Sequence, residues 1–412
     1  MPADPTRPAL PRAAALALLA PLAACSDDPK DSSLTAGDSP TWADVSPIFA
    51  ESCVGCHHAG GVGPGDFTTW AGASPKASVI GAFVEGGIMP PPSMDPGCRP
   101  YVGHDRMTLT AEESDQITAW VAAGAAEGDP VDPLVPPTLT LAGADIEAIL
   151  PVTHLVTPQE DQNEYHCQIL DNPFNSSTYI TGFDALIDQP SVVHHLVLAI
   201  DRGGDAGQDS ADGDLSDGWD CRTPIVEPDW DILHAWAPGM EPTAFDEGLG
   251  IAAGPGDQLV LQVHYFGDDE AAGTPDQSGY RFRTADSVDT EMLMQQVGPT
   301  GFTLQTGVQT VEETLDQDYP VDVTLHGVVP HMHTLGQGYR SEILDGATTC
   351  LAAADTWDFG HQAAYLFEEP VVWRRGTQVR NSCTYDNDTG APVGFGEGTD
   401  QEMCFFLYYY SY

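Results

Sequence analysis

Beyond residue 137 the chain offers apolar residues in short runs of alternating character, and helical periodicity is scarce. Runs at 191–200, 258–266, 321–329, 378–385 and 402–410 are separated by clusters of Gly, Asp and Pro, the residues that end strands and form turns. Period-two alternation puts every second side chain on one face, so each run suits a half-buried strand. Several short strands with turn signals predict all-β sandwich or jelly-roll architecture, and the roughly 270 residues available suit two such units better than one. Of 412 residues, 42% are hydrophobic, enough for several packed cores and too much for a disordered chain. Sixty-two acidic residues against 14 basic give a formal net charge of −48. Only Lys30 and Lys76 are lysines. Such a surface repels phosphate backbones, so no nucleic-acid partner is expected.

The N-terminus carries an address. Arg7 and Arg12 precede an apolar run at 13–20 that leads to Leu22-Ala23-Ala24-Cys25. That run is too short to span a bilayer and has the order of an export signal. Leu-Ala-Ala-Cys resembles a bacterial lipobox, which implies a signal peptide over 1–24 and lipid on Cys25. The alternative is an ordinary signal peptide with an incidental cysteine. Residues 25–40 read as a polar, flexible tether. The chain is therefore expected outside the cytoplasm, in the periplasm or on the cell surface, anchored by lipid alone, with the outer membrane the expected site. That compartment is oxidising and permits disulfides. Oligomeric state is not legible.

A small all-α unit is expected over 41–127, followed by a Pro-rich linker at 128–136. Cys53-Val54-Gly55-Cys56-His57 reads as a c-type haem attachment. Both thiols and the imidazole fall within one helical turn, so the cysteines can hold the porphyrin and His57 the iron. An amphipathic stretch (Trp42, Val45, Ile48, Phe49) precedes it, and a closing helix at 114–124 (Ile117, Trp120, Val121) follows. Between them, Gly86-Gly87-Ile88-Met89-Pro90-Pro91-Pro92 resembles the methionine loop of small cytochromes c, making Met89 the sixth ligand and Met94 its rival. His58 is expected to be an exposed neighbour.

Two histidine sets mark the β-rich part. His194-His195 and His264 form the first. Adjacent strand residues point to opposite faces, so His194 and His195 can share a metal only at a strand end or bulge. His331-Met332-His333 with Met403 forms the second. Residues two apart share a face, and imidazoles with a thioether favour copper over zinc.

In order, His-His, Leu-Gln-Val-His-Tyr, His-x-His-x-Leu-Gly and Glu-Met-Cys before a tyrosine-rich end resemble the ascorbate-dependent type II copper monooxygenases. Ser382-Cys383-Thr384-Tyr385 and Gly394-Phe395-Gly396 are nearer to the dopamine-hydroxylating members. The resemblance covers about 137–412 and implies two jelly-roll subdomains, 137–288 and 289–412. It implies an electron-transfer copper on His194, His195 and His264, and a copper for oxygen and substrate on His331, His333 and Met403. It also implies disulfides Cys167–Cys221 and Cys383–Cys404, leaving Cys98 and Cys350 either free or joined across domains. Where peptide-hydroxylating members grip a carboxylate with arginine, asparagine and tyrosine, this chain has Val329, Phe405 and Leu407. Burying a carboxylate without such partners costs several kcal/mol. The expected substrate is thus a small apolar or aromatic molecule, hydroxylated with O2. Its reductant, ascorbate or another donor, is not legible; the fused haem would deliver the electrons. A non-catalytic electron-transfer or copper-holding protein is the alternative; a pure adhesin would not explain the ligands.

Overall fold

The computed structural model describes residues 39–137, 140–157, 163–204, 206, 215, 217–221, 230–238, 240–267, 271–396 and 398–412. The proposed signal peptide, Cys25 and most of the tether lie outside them. Among the described residues no helix is long and apolar enough to cross a membrane.

The N-terminal part is built on three helices, α1 (Trp42–Ser52), α2 (Ala77–Glu85) and α3 (Ala111–Ala122). Their apolar faces meet in one cluster centred on Trp42, Phe49, Ile80, Ile117 and Trp120. Capping sets where two of them begin: the Asp44 carboxylate accepts from the Thr41 backbone N–H at 2.7 Å, and Glu113 does the same for Thr110 at 2.8 Å. Pro47 inside α1 has no N–H for the Ala43 carbonyl, and the Ser46 hydroxyl reaches that oxygen at 3.4 Å instead. α1 falls on the first amphipathic stretch and α3 overlaps the closing helix expected at 114–124, starting three residues earlier, whereas α2 was not anticipated from the sequence.

The remainder is mostly β-sheet. In the first sandwich, a sheet ordered Trp219–Asp220, Asn163–Leu170, Gln258–Phe266, Val193–Asp201 and Trp230–Trp236 faces a second sheet containing Thr178–Leu186 and Gly279–Ala285. In the second sandwich, one sheet runs Leu293–Val297, Phe405–Ser411, Val323–His331, Tyr365–Trp373. The other runs Gly307–Asp316, Gln378–Asn387, Gly336–Leu344, Thr348–Ala354. All five alternating runs contribute strands, although 402–404 precede the last one.

Phe405–Ser411 explains how the sandwiches join. Every residue in it is buried. Phe405, Leu407 and Tyr409 pack into the core shared with the first sandwich, and Phe406, Tyr408 and Tyr410 into the core of the second. A strand covered on both faces reads as a continuous apolar run rather than an alternation. Tyr409 completes the join by donating to the Leu233 carbonyl at 3.3 Å.

Residues 93–107 leave the helical unit and lie across both sandwiches. Met94 and Tyr101 are fully buried in the core of the second. Asp95 N–H donates to the Ala353 carbonyl at 2.7 Å, Val102 N–H to Leu366 at 2.9 Å, and Cys98 is bonded to Cys350. Arg106 pairs with Glu241 of the first sandwich, Nε to Oε1 at 3.0 Å. Cys167–Cys221 and Cys383–Cys404 are the other two disulfides among the described residues.

Candidate metal and cofactor sites

His264 lies on Gln258–Phe266 directly opposite His195, and the next pair is Tyr265 with Val193. His194 is the extra residue of that bulge. The bulge turns both neighbouring imidazoles toward His264, as the adjacency of His194 and His195 requires. Nδ1 of His195 is 3.3 Å from Nδ1 of His194 and 3.2 Å from Nδ1 of His264, and the three ligand atoms lie within 4.8 Å of one another. Metal–nitrogen bonds of about 2 Å at tetrahedral angles put ligand nitrogens about 3.3 Å apart, so this spacing fits one ion. Asn163 Oδ1 accepts from Nε2 of His264 at 2.8 Å, so Nδ1 is the nitrogen that faces His195. The Tyr165 ring stacks on His264 at 4.2 Å.

His331 ends its strand and His333 lies just beyond it. The strand therefore does not by itself align the pair, contrary to the simple i, i+2 expectation. Glu402 does this instead: its carboxylate accepts from the backbone N–H of His333 at 2.9 Å and of Leu335 at 2.6 Å. Burial raises the Glu402 carboxyl to about 7, against the pull of those amides. The two imidazoles sit 5.1 Å apart. Nδ1 of His331 is 2.8 Å from Gln362 Oε1, and Nδ1 of His333 is 3.0 Å from the Gln401 carbonyl, so each Nε2 remains available. Met403 is buried, with Tyr385 donating to its carbonyl and the Cys383–Cys404 bridge beside it.

Burial, with neighbouring imidazoles adding to it at His194, His195 and His333, favours the neutral form of those three and of His331. Desolvation lowers His194 to about 4 and His333 to about 3, and holds His195 well below the usual range with His264 adding to the effect. Neutral imidazole is the ligand form.

Both triads open on one cavity of about 90 Å³, reached by His195, His331, His333 and Met403. Val329, Phe405 and Leu407 line it too. No Arg, Lys, Asp or Glu is among its described lining residues. Sequence reasoning missed the groups that orient the ligands: Asn163, Tyr165, Gln362, Gln401 and Glu402. Neutral amides, a backbone carbonyl and an acid beside Met403 carry no ligand signature of their own.

In the helical unit, a cavity of about 570 Å³ is lined by Cys53, Cys56, His57, Met89 and apolar side chains from α1 and α2. That volume is in the range that holds an organic cofactor. His57 Nδ1 lies 3.0 Å from the Pro64 carbonyl, which leaves its Nε2 for a metal. Cys53 and Cys56 are not joined, and burial pushes Cys53 up to about 12 and raises Cys56. A redox-active pair needs the opposite shift. Met94 lies in the second sandwich's core, away from this cavity, so it is no rival to Met89. His58 is half-buried rather than exposed, with Nδ1 2.9 Å from the Val54 carbonyl.

Comparison with known proteins places the chain in a family. Among solved structures, the major capsid protein P2 from Bacteriophage PM2 shares 12% identity at a TM-score of 0.26, over 64% of this chain and 96% of that one. Infectious bursal disease virus Gx strain shares 11% at 0.19, over 64% and 69%. Likeness at that level carries no argument. Residues 150–272, however, match the N-terminal domain of the copper type II ascorbate-dependent monooxygenases, and residues 304–412 match their C-terminal domain. The two matches together span more than half of the chain, and the chain belongs to that oxidoreductase family.

Proposed function

We propose that this protein hydroxylates a C–H bond of a small, uncharged, largely apolar or aromatic substrate with O2, using an on-chain haem c as its electron donor. The observation that carries the reading is one cavity, with no charged Arg, Lys, Asp or Glu among its described lining residues, that is lined by His195 of one triad and by His331, His333 and Met403 of the other. His194, His195 and His264 would hold an electron-transfer copper; His331, His333 and Met403 a second copper at the oxygen site; Cys53, Cys56, His57 and Met89 the haem. When bound, copper supplies one-electron redox chemistry and oxygen activation, and haem stores single electrons.

The chain's own groups do the rest. Asn163, Gln362 and the Gln401 carbonyl accept from the ring nitrogens that face away from the metals, fixing tautomer and ring orientation. Met403 adds a soft donor that favours Cu(I). Val329, Phe405 and Leu407 line the reaction cavity with carbon, so a substrate carboxylate would be desolvated without a partner. A C-terminal glycine peptide is therefore disfavoured. The three disulfides support an oxidising compartment, consistent with export and lipid attachment at Cys25.

The test is reductant-coupled O2 uptake by the haem- and copper-loaded protein against a panel of uncharged aromatic and alkyl compounds, with a glycine-extended peptide as counter-substrate. One atom of ¹⁸O₂ is expected in a panel product and none in the peptide. Hydroxylation of the peptide alone would overturn the substrate class. Copper-dependent electron transfer without any oxygenated product would favour a non-catalytic role.

A further inference from the structure

Residues 357–362 lie between the strands Thr348–Ala354 and Tyr365–Trp373 and separate two cavities. Asp358, Gly360 and His361 line the cavity that also carries Cys53, Cys56, His57 and Met89. The remaining three side chains reach the copper ligands. The Phe359 ring stacks on His194 at 4.7 Å and 29°, and meets His333 edge-on at 5.8 Å. Trp357 Nε1 donates to the His333 carbonyl at 3.0 Å, and Gln362 holds His331. One six-residue segment thus touches the haem cavity and members of both triads.

We propose that this segment is the electron route from the haem cavity to the three-histidine copper site, with Phe359 as the contact on His194. The proposal rests on the haem reading above. In the step, one electron leaves a ferrous haem, which becomes ferric, and enters a cupric ion held by His194, His195 and His264, which becomes cuprous. No bond is made or broken, and a small one-electron reductant from solution returns the haem to the ferrous state. Tunnelling weakens steeply across empty space and less steeply through bonded or touching atoms. Phe359 is one peptide bond from two residues of the haem-cavity wall, and its ring touches a ligand. The contact is also rigid, because Trp357 and Gln362 tie the segment's ends to the second triad. A second stretch separates the cavities, with Pro238 on the haem side and Ala237 and Met240 on the other. Its aromatic side chain on that side, Trp236, stacks on no copper ligand among the described residues, whereas the Phe359 ring stacks on His194.

The experiment is flash photoreduction of the haem in anaerobic protein loaded with Cu(II), after haem and copper have been counted. Reoxidation of the ferrous haem is read from its visible absorbance, and the three-histidine copper from its paramagnetic resonance. Phe359→Leu is expected to slow intramolecular transfer severalfold, because it removes the ring that touches His194. The haem spectrum and copper resonance should stay unchanged. Phe359→Trp, which keeps a stacked ring, should retain most of the rate, and Pro238→Ala should leave it unaltered. Full-rate transfer in Phe359→Leu, or slowing in Pro238→Ala alone, overturns the route while leaving the haem reading intact. A wild-type protein without covalent haem overturns both.

Discussion

Met403→Leu is expected to abolish hydroxylation while copper still fills the site of His194, His195 and His264. Leucine is close to methionine in volume and apolarity, and swaps of that kind in a core usually cost less than about 1.5 kcal/mol. The surroundings that position residue 403 do not depend on its side chain: Glu402 still accepts from His333 and Leu335, and Cys404 is still bonded to Cys383. What disappears is the thioether, the soft donor of the second triad. Two imidazoles remain there, so copper affinity should fall in the cuprous state above all. Oxygen consumption with product analysis reads the loss, and resonance of the cupric three-histidine site reads what survives. Full turnover in the variant would remove Met403 from the oxygen site.

The joint replacement Cys98→Ser and Cys350→Ser should produce the largest change in stability. The bond closes a loop of 252 residues in sequence. In the chain-entropy account, a loop of that size stabilises the folded chain by about 5 kcal/mol, which corresponds to a fall of about 6 °C in Tm for a chain of this size. Contacts on either side should keep the native arrangement intact at room temperature. Tyr101 stacks edge-on against Tyr365 at 4.8 Å, Arg99 donates to the Cys350 carbonyl at 3.0 Å, and Arg106 pairs with Glu241. Scanning calorimetry of the oxidised wild type and the double variant measures the difference. An unchanged Tm would mean that those contacts alone hold residues 93–107 in place.

The histidine adjacency was the most informative signal in the chain. His194-His195 on a strand demands a bulge before both rings can serve one ion, and the register shift beside His264 supplies it. The candidate metal-ligating residues could be picked out because metal chemistry restricts residue type as well as spacing. Gln362, Asn163 and Glu402 were not, because each acts on a ligand through one hydrogen bond set by the tertiary fold. Residues 93–107 show the same limit on a larger scale. Their Pro-rich sequence has no periodicity, yet Met94 and Tyr101 complete the core of a sandwich whose strands begin about 200 residues later. Met94 could therefore be weighed against Met89 as a ligand until its burial was known. The tyrosine-rich end was readable as a strand, but not that both its faces are buried between sandwiches.

Copper content and coordination of the purified protein test the central claim most directly. Two copper ions per chain are expected at saturation. X-ray absorption of the reduced protein should show nitrogen scatterers with a single sulfur scatterer, and Met403→Leu should remove that sulfur while leaving the nitrogen shell of the other site. Saturation at one copper or fewer, or a reduced spectrum without sulfur in the wild type, would contradict the assignment of two different copper sites on one cavity.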